Sequence, residues 1–65
     1  MLCLINGQKT ELPPGSVADL LRMRALTGKR VAVEHNGQIV PKSQHGQTML
    51  AEGDVIEIVV AVGGG

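Results

Sequence analysis

Apolar and polar positions change rhythm along the chain, and the changes mark its elements. The opening MLCLIN is apolar up to Asn6-Gly7, and Lys9 to Leu12 then alternate until Pro13, Pro14 and Gly15 close the segment. That pattern predicts a hairpin of two strands. In Ser16-Val-Ala-Asp19 a hydroxyl can cap a helix start and an acidic side chain can answer it. Val17, Leu20, Leu21 and Ala25 then recur at helical spacing, Asp19, Arg22 and Arg24 are left for water, and Gly28 supplies a stop. One amphipathic helix of about two to three turns is predicted.

Val31 to His35 is β-branched and alternating, Asn36-Gly37 is a turn signal, and Gln38 to Val40 resumes an extended course up to Pro41. Lys42 to Gln47 is polar and reads as a loop. Thr48 to Ala51 reads as a short extended piece, Glu52-Gly53-Asp54 as a turn, and VIEIVV as the last strand. The order ββαβ(β)β, with too few residues for repeated βαβ units, predicts an α+β fold: a mixed sheet of four to five strands packed on one helix. Alternation places Met1, Cys3, Ile5, Ile56 and Ile58 inward, and Leu2, Leu4, Val55, Glu57 and Val59 outward. Leu2, Leu4 and Val59 then form an apolar patch beside the terminus, either a partner surface or the incomplete cover of a small sheet.

Composition narrows the function classes. At 65 residues the chain is one small domain, without room for a deep private active site. Six basic and six acidic residues cancel and there are no aromatic side chains, so neither an electrostatic footprint nor a stacking platform for nucleic acid is expected. One cysteine, an apolar start MLCLI without the charged n-region and cleavage site of a secretory signal, and the shortness of every apolar run favour a cytoplasmic protein that does not span a membrane.

No side-chain set makes a self-contained enzyme. Cys3 lies in an apolar strand with no local base and reads as a buried structural thiol. His35 and His45 stand near turns, where solvated histidine is ordinary, at no metal-ligand spacing with Cys3 or each other; no metal is expected. Gly7, Gly15, Gly28, Gly37, Gly46 and Gly53 are spread as turn punctuation. Arg22, Arg24, Lys29 and Arg30 cluster about the helix end, either complementing the helix dipole or offering a docking site to an anionic partner.

The terminus Gly63-Gly64-Gly65 remains. Alone it is a loose end, but here it follows a strand directly, so a thin rod without Cβ atoms projects from a rigid platform and can thread a narrow slot in another protein. A carboxylate becomes electrophilic once its oxygen is made a leaving group, as by adenylation. The unhindered acyl carbon of a terminal glycine can then accept sulfur or an amine.

The arrangement resembles the ubiquitin-like β-grasp fold and, within it, the ThiS-type sulfur carriers of thiamine biosynthesis. The likeness runs from Ile5-Asn-Gly7 through Val17-Ala-Asp-Leu-Leu21. It is most specific at Val31-Ala-Val-Glu-His-Asn-Gly-Gln-Ile-Val-Pro41, Gly53-Asp54 and Ile56-Glu-Ile-Val-Val-Ala-Val-Gly-Gly-Gly65. The resemblance implies a carrier with no catalytic residue and no bound cofactor. A ThiF-type, E1-like enzyme would use ATP to adenylate Gly65. Sulfur from a donor system would displace AMP, and the thiocarboxylate would serve a ThiG-type thiazole synthase. Gly64 and Gly65 match the family's diglycine; Gly63 lengthens the tail that enters a partner's active site. Residues 1–62 are expected as the β-grasp domain, monomeric when free, and 63–65 as a flexible tail. Three alternatives share these features: a molybdopterin-synthase small subunit, against which the absence of Phe counts, a protein modifier joined to lysines, and a binding module with an inert tail.

Overall fold

A computed structural model describes residues 1–61. In chain order the elements are β1 (Leu2–Ile5), β2 (Gln8–Glu11), α1 (Val17–Met23), β3 (Val31–His35), β4 (Gln38–Val40), a 3-10 turn (Lys42–Gln44) and β5 (Val55–Val60). The five strands form one sheet in the order β2-β1-β5-β3-β4. β5 runs parallel to β1 and antiparallel to β3, and the other neighbours are antiparallel hairpins. The expected mixed sheet therefore has five strands, with the last one in its centre. Val62–Gly65, and with them the expected boundary after residue 62, lie outside the described residues.

One face of the sheet meets α1. Cys3 and Ile5 of β1, Val33 of β3, and Ile56 and Ile58 of β5 pack with Val17, Leu20 and Leu21 of the helix into the core, while Met1, Leu26 and Val31 line its margin. The alternation expected for β1 and β5 holds, with Leu2, Val55, Glu57 and Val59 exposed and Leu4 half-buried on the other face. Burial of these aliphatic side chains, each contributing about 1.5–3 kcal/mol, is what orders so short a chain without aromatic residues.

The helix start is the predicted capping box: Ser16 Oγ accepts the Asp19 N–H at 3.2 Å and Asp19 Oδ2 accepts the Ser16 N–H at 2.9 Å. Its end differs from expectation. The helix stops at Met23, and the first left-handed residue after it is Ala25 at φ 58°, not Gly28. The Leu26 N–H reaches back to the Leu21 carbonyl at 2.8 Å and the Ala25 N–H to Arg22 at 3.1 Å, a Schellman closure. Closing there turns Ala25 out to solvent and brings Leu26 onto the core margin in its place.

One further expectation is corrected, that for His45. The short extended piece expected at Thr48 to Ala51 lies outside the five-stranded sheet, where Met49 bridges Ser16, and the Thr48 and His45 carbonyls accept the Val17 and Ala18 N–H groups, each at 2.9 Å, so the loop closes the donors at the helix start. His45 is accordingly not solvated. It is 8% exposed, and its Nε2–H donates to the Val40 carbonyl at 3.1 Å.

Ala25 supplies a stability prediction. A left-handed Ala is strained where Gly is not, so Ala25→Gly is expected to stabilise the fold by about 1 kcal/mol, read as a raised urea midpoint at unchanged slope.

Candidate functional site

The site begins with the strand that leads to the terminus. β5 has partners on both sides: Leu4 and Ile5 pair with Val55 and Ile56, and Val31, Ala32, Val33, Glu34 and His35 pair with Val60, Val59, Ile58, Glu57 and Ile56. The ladder continues one step beyond the strand, where the Ala61 N–H donates to the Arg30 carbonyl at 2.9 Å. The chain is thus held at backbone level up to the residue before Val62. Gly63, Gly64 and Gly65, the expected working tail, lie beyond the described residues.

Two asparagines extend this grip, and both belong to Asn-Gly turns. β1 leaves the ladder after Ile5 as the chain turns at Asn6, whose φ is 50°. The Asn6 side chain then takes the place of a peptide group: Nδ2 donates to the Ile58 carbonyl at 3.2 Å and Oδ1 accepts the Ile58 N–H at 2.7 Å. At the start of β5, Asn36, at φ 51°, accepts the Val55 N–H on Oδ1 at 2.8 Å and donates from Nδ2 to Asp54 Oδ1 at 3.1 Å. Asn-Gly signals a turn. The additional role had a sequence signal only in the choice of Asn, since Gly-Gly would also turn the chain but holds no amide.

Asp54 completes the clamp. Its Oδ2 accepts from His35 Nε2 at 2.6 Å and from the Ala51 N–H at 2.8 Å. Desolvation pushes the Asp54 carboxyl up, but the hydrogen bonds from His35, Asn36 and Ala51 outweigh it and leave the group below its ordinary value. His35, expected to be solvated, is instead partly buried against this carboxylate. Cys3 is buried, its Sγ 3.4 Å from the Ala51 carbonyl, and burial pushes its thiol up, which disfavours the nucleophilic thiolate. Among the described residues no three His, Cys, Asp or Glu side chains converge as metal ligands.

The open face of the sheet carries the expected patch residues in two places. Leu2 and Leu4 adjoin Val55. Val59 is 64% exposed and pairs with Ala32. It stands about 13 Å along β5 from Val55 at the usual rise per residue. Between them Glu57 lies directly opposite Glu34, and neither is in an ion pair among the described residues. Like charges in that register repel.

The clamp generates two predictions. Asn6→Gly keeps a residue suited to positive φ but deletes the amide, and is expected to destabilise the fold by about 1–2 kcal/mol in urea unfolding, with faster exchange of the Ile58 amide. A carboxyl depressed in the folded state contributes stability that is present above its unfolded value, about pH 4, and is lost as pH falls through the lower folded value. Asp54→Asn is therefore expected to be less stable at neutral pH and to show a flatter acid limb in a stability-against-pH profile.

Comparison with known proteins agrees with this geometry. A family model described as the ThiS family matches residues 3–65. The sulfur carrier protein ThiS of Bacillus subtilis is 41% identical over 63 residues, covering 94% of this chain and 96% of that protein. A thiazole synthase of Paramagnetospirillum magneticum is 39% identical over 66 residues, all of this chain but only 20% of that protein. The crystal structure of the thiamine biosynthesis protein ThiS from Geobacter metallireducens matches with a TM-score of 0.84 at 26% identity, both chains covered in full. The architecture is the ubiquitin-like β-grasp, and the chain belongs to the ThiS family.

Proposed function

We propose that this chain carries sulfur for thiamine biosynthesis as a thiocarboxylate on Gly65, in the cytoplasm, and that its partners perform all the catalysis. The observation that supports this most is the central position of β5. A strand gripped from both sides as far as Ile58 and from the β3 side to Ala61 fixes the point at which the chain leaves the sheet. Gly63, Gly64 and Gly65 have no side chains to obstruct entry into a partner's active site.

The chemistry belongs to the terminal carboxylate. On a ThiF-type adenylating enzyme it attacks the α-phosphorus of ATP and pyrophosphate leaves. Hydrosulfide delivered by a donor system then adds to the acyl carbon, AMP departs and the S–H proton is lost, leaving the thiocarboxylate. On a ThiG-type thiazole synthase the C–S bond breaks as sulfur passes to the acceptor, and an oxygen from that acceptor or from water bonds to the acyl carbon, which returns the carboxylate. Support for the last partner comes from the likeness between this chain and part of a thiazole synthase. ATP is bound by the adenylating enzyme and not by this chain.

Leu2, Leu4 and Val59 are proposed as docking contacts on the open face. The Glu34–Glu57 pair among them would be relieved by a cation from the partner.

Two experiments test the reading. Deleting Gly65 is expected to abolish adenylation, measured as pyrophosphate exchange, while leaving the thermal midpoint unchanged, because a glycine has no side chain to contribute to a core. Intact-mass analysis of the native protein should show one terminal oxygen exchanged for sulfur. Full activity of the shortened chain, or isopeptide conjugates in place of the thiocarboxylate, would overturn the proposal. Val59→Lys, on a side chain that faces solvent, is expected to weaken binding to the adenylating enzyme about tenfold with little change in fold stability.

A further inference from the structure

The docking contacts above lie on the open face, and a further unpartnered surface begins at one of them, Val59, and reaches round the end of the sheet to the helix side. A cleft of about 630 Å³ opens between the end of α1, the start of β3 and the turn after β4. Leu21, Leu26 and Val31 supply apolar wall, and Lys29, Arg30 and Lys42 stand around it with exposed side chains. None of these three cations is in an ion pair among the described residues. Lys29 and Arg30 precede β3 and Lys42 follows β4, so the positive charge comes from two separate elements.

The nearby helix start does not account for this charge. Its Val17, Ala18 and Asp19 N–H groups are already bonded to Thr48, His45 and Ser16, so it is not a preformed anion site. The cleft is also coupled to the terminus. Ala61 lines it, and the Ala61 N–H is held by the carbonyl of Arg30, one of the rim cations. A partner that grips the chain beyond Ala61 therefore has this cleft beside it.

We propose that the cleft receives a segment of the adenylating enzyme in which an apolar side chain is flanked by carboxylates, giving that enzyme a second hold next to the tail. The inference rests on the functional reading above and deepens it. Charge complementarity selects the occupant: an apolar side chain covers Leu21, Leu26 and Val31, and flanking carboxylates pair with Lys29, Arg30 and Lys42. A purely anionic ligand would leave the apolar wall uncovered, and a purely apolar one would leave three cations beside a dry contact.

The test uses the full chain and its purified ThiF-type enzyme. Affinity is measured by calorimetry at low salt and at roughly 0.3 M salt, where charge pairs at the rim of an interface are screened. The double variant Lys29→Glu with Lys42→Glu changes exposed side chains that make no hydrogen bond among those described, and its thermal midpoint checks the fold. Binding is expected to weaken about tenfold at low salt and to lose most of its salt dependence. In pyrophosphate exchange KM rises in proportion and kcat is unchanged at saturation, since the tail still reaches the enzyme. Affinity and salt dependence equal to those of the unaltered chain would overturn the proposal, as would failure of the unaltered chain to bind the enzyme. So would two other occupants. A second copy would appear as a dimer in sedimentation that the variant dissociates. The chain's own terminus would appear as shifted Leu26 and Val31 amide signals once Gly63–Gly65 is removed. Should the unaltered chain bind without being adenylated, the tail reading fails while the affinities still decide the cleft.

Discussion

The rest of the structure depends on the insertion of β5 between β1 and β3. The last strand of the chain enters the middle of a sheet whose outer parts are two hairpins, β1-β2 and β3-β4, so it joins units that otherwise share no ladder. Its parallel pairing with β1 is only two residues long. A contact so short between segments at opposite ends of the chain must offset a large loop-closure entropy. The Asn6 amide lengthens it by two hydrogen bonds across 52 residues of sequence. At the other end of the strand Asn36, His35 and Asp54 fasten its first residues to the β3-β4 turn. Both hairpin turns thus hold the strand that separates them.

That arrangement also explains how a chain without net charge becomes a polarised molecule. Alternation along β3 and β5 sends Glu34 and Glu57 to the open face in facing register, while the loops at the end of the helix and after β4 collect Lys29, Arg30 and Lys42 around the cleft that Val59 also lines. None of these five charges is in an ion pair among the described residues. Each side consequently keeps charge for another molecule, next to apolar side chains too few to bury themselves: Leu2 and Val59 on one side, Leu26 and Val31 on the other.

Much of this was legible in the sequence because it follows from local periodicity. The period-two alternation of LCLI and VIEIVV assigned the core face, and Ser16 with Asp19 marked the helix start. What could not be read was decided by distant partners. Gly28 looked like the stop of the helix, yet Leu26 gains burial if the chain turns earlier, and that gain outweighs the strain of a left-handed Ala25. His45 stood in a polar stretch, but the Val40 carbonyl and the exposed start of α1 needed partners and drew the loop inward. The same limit hid the Asn6 and Asn36 amides, whose bonds are to a strand that the turn signals say nothing about.

The separation between body and terminus has a consequence for how loaded and unloaded carriers are distinguished. The described core and clamps are built by residues before Val62, and the proposed chemistry changes only the acyl group of Gly65. Replacing a carboxylate by an adenylate or a thiocarboxylate alters charge, size and polarisability at that group, and leaves the side chains that form the described core and clamps chemically unchanged. On this reading the affinity of the body for a partner is nearly the same at every stage of the cycle, and discrimination between stages falls to the partner's active site. A ligand that binds two states equally shifts nothing between them. In the proposed cycle direction would therefore come from ATP consumption and from the shape of each partner's slot, while the β-grasp body would contribute a constant hold.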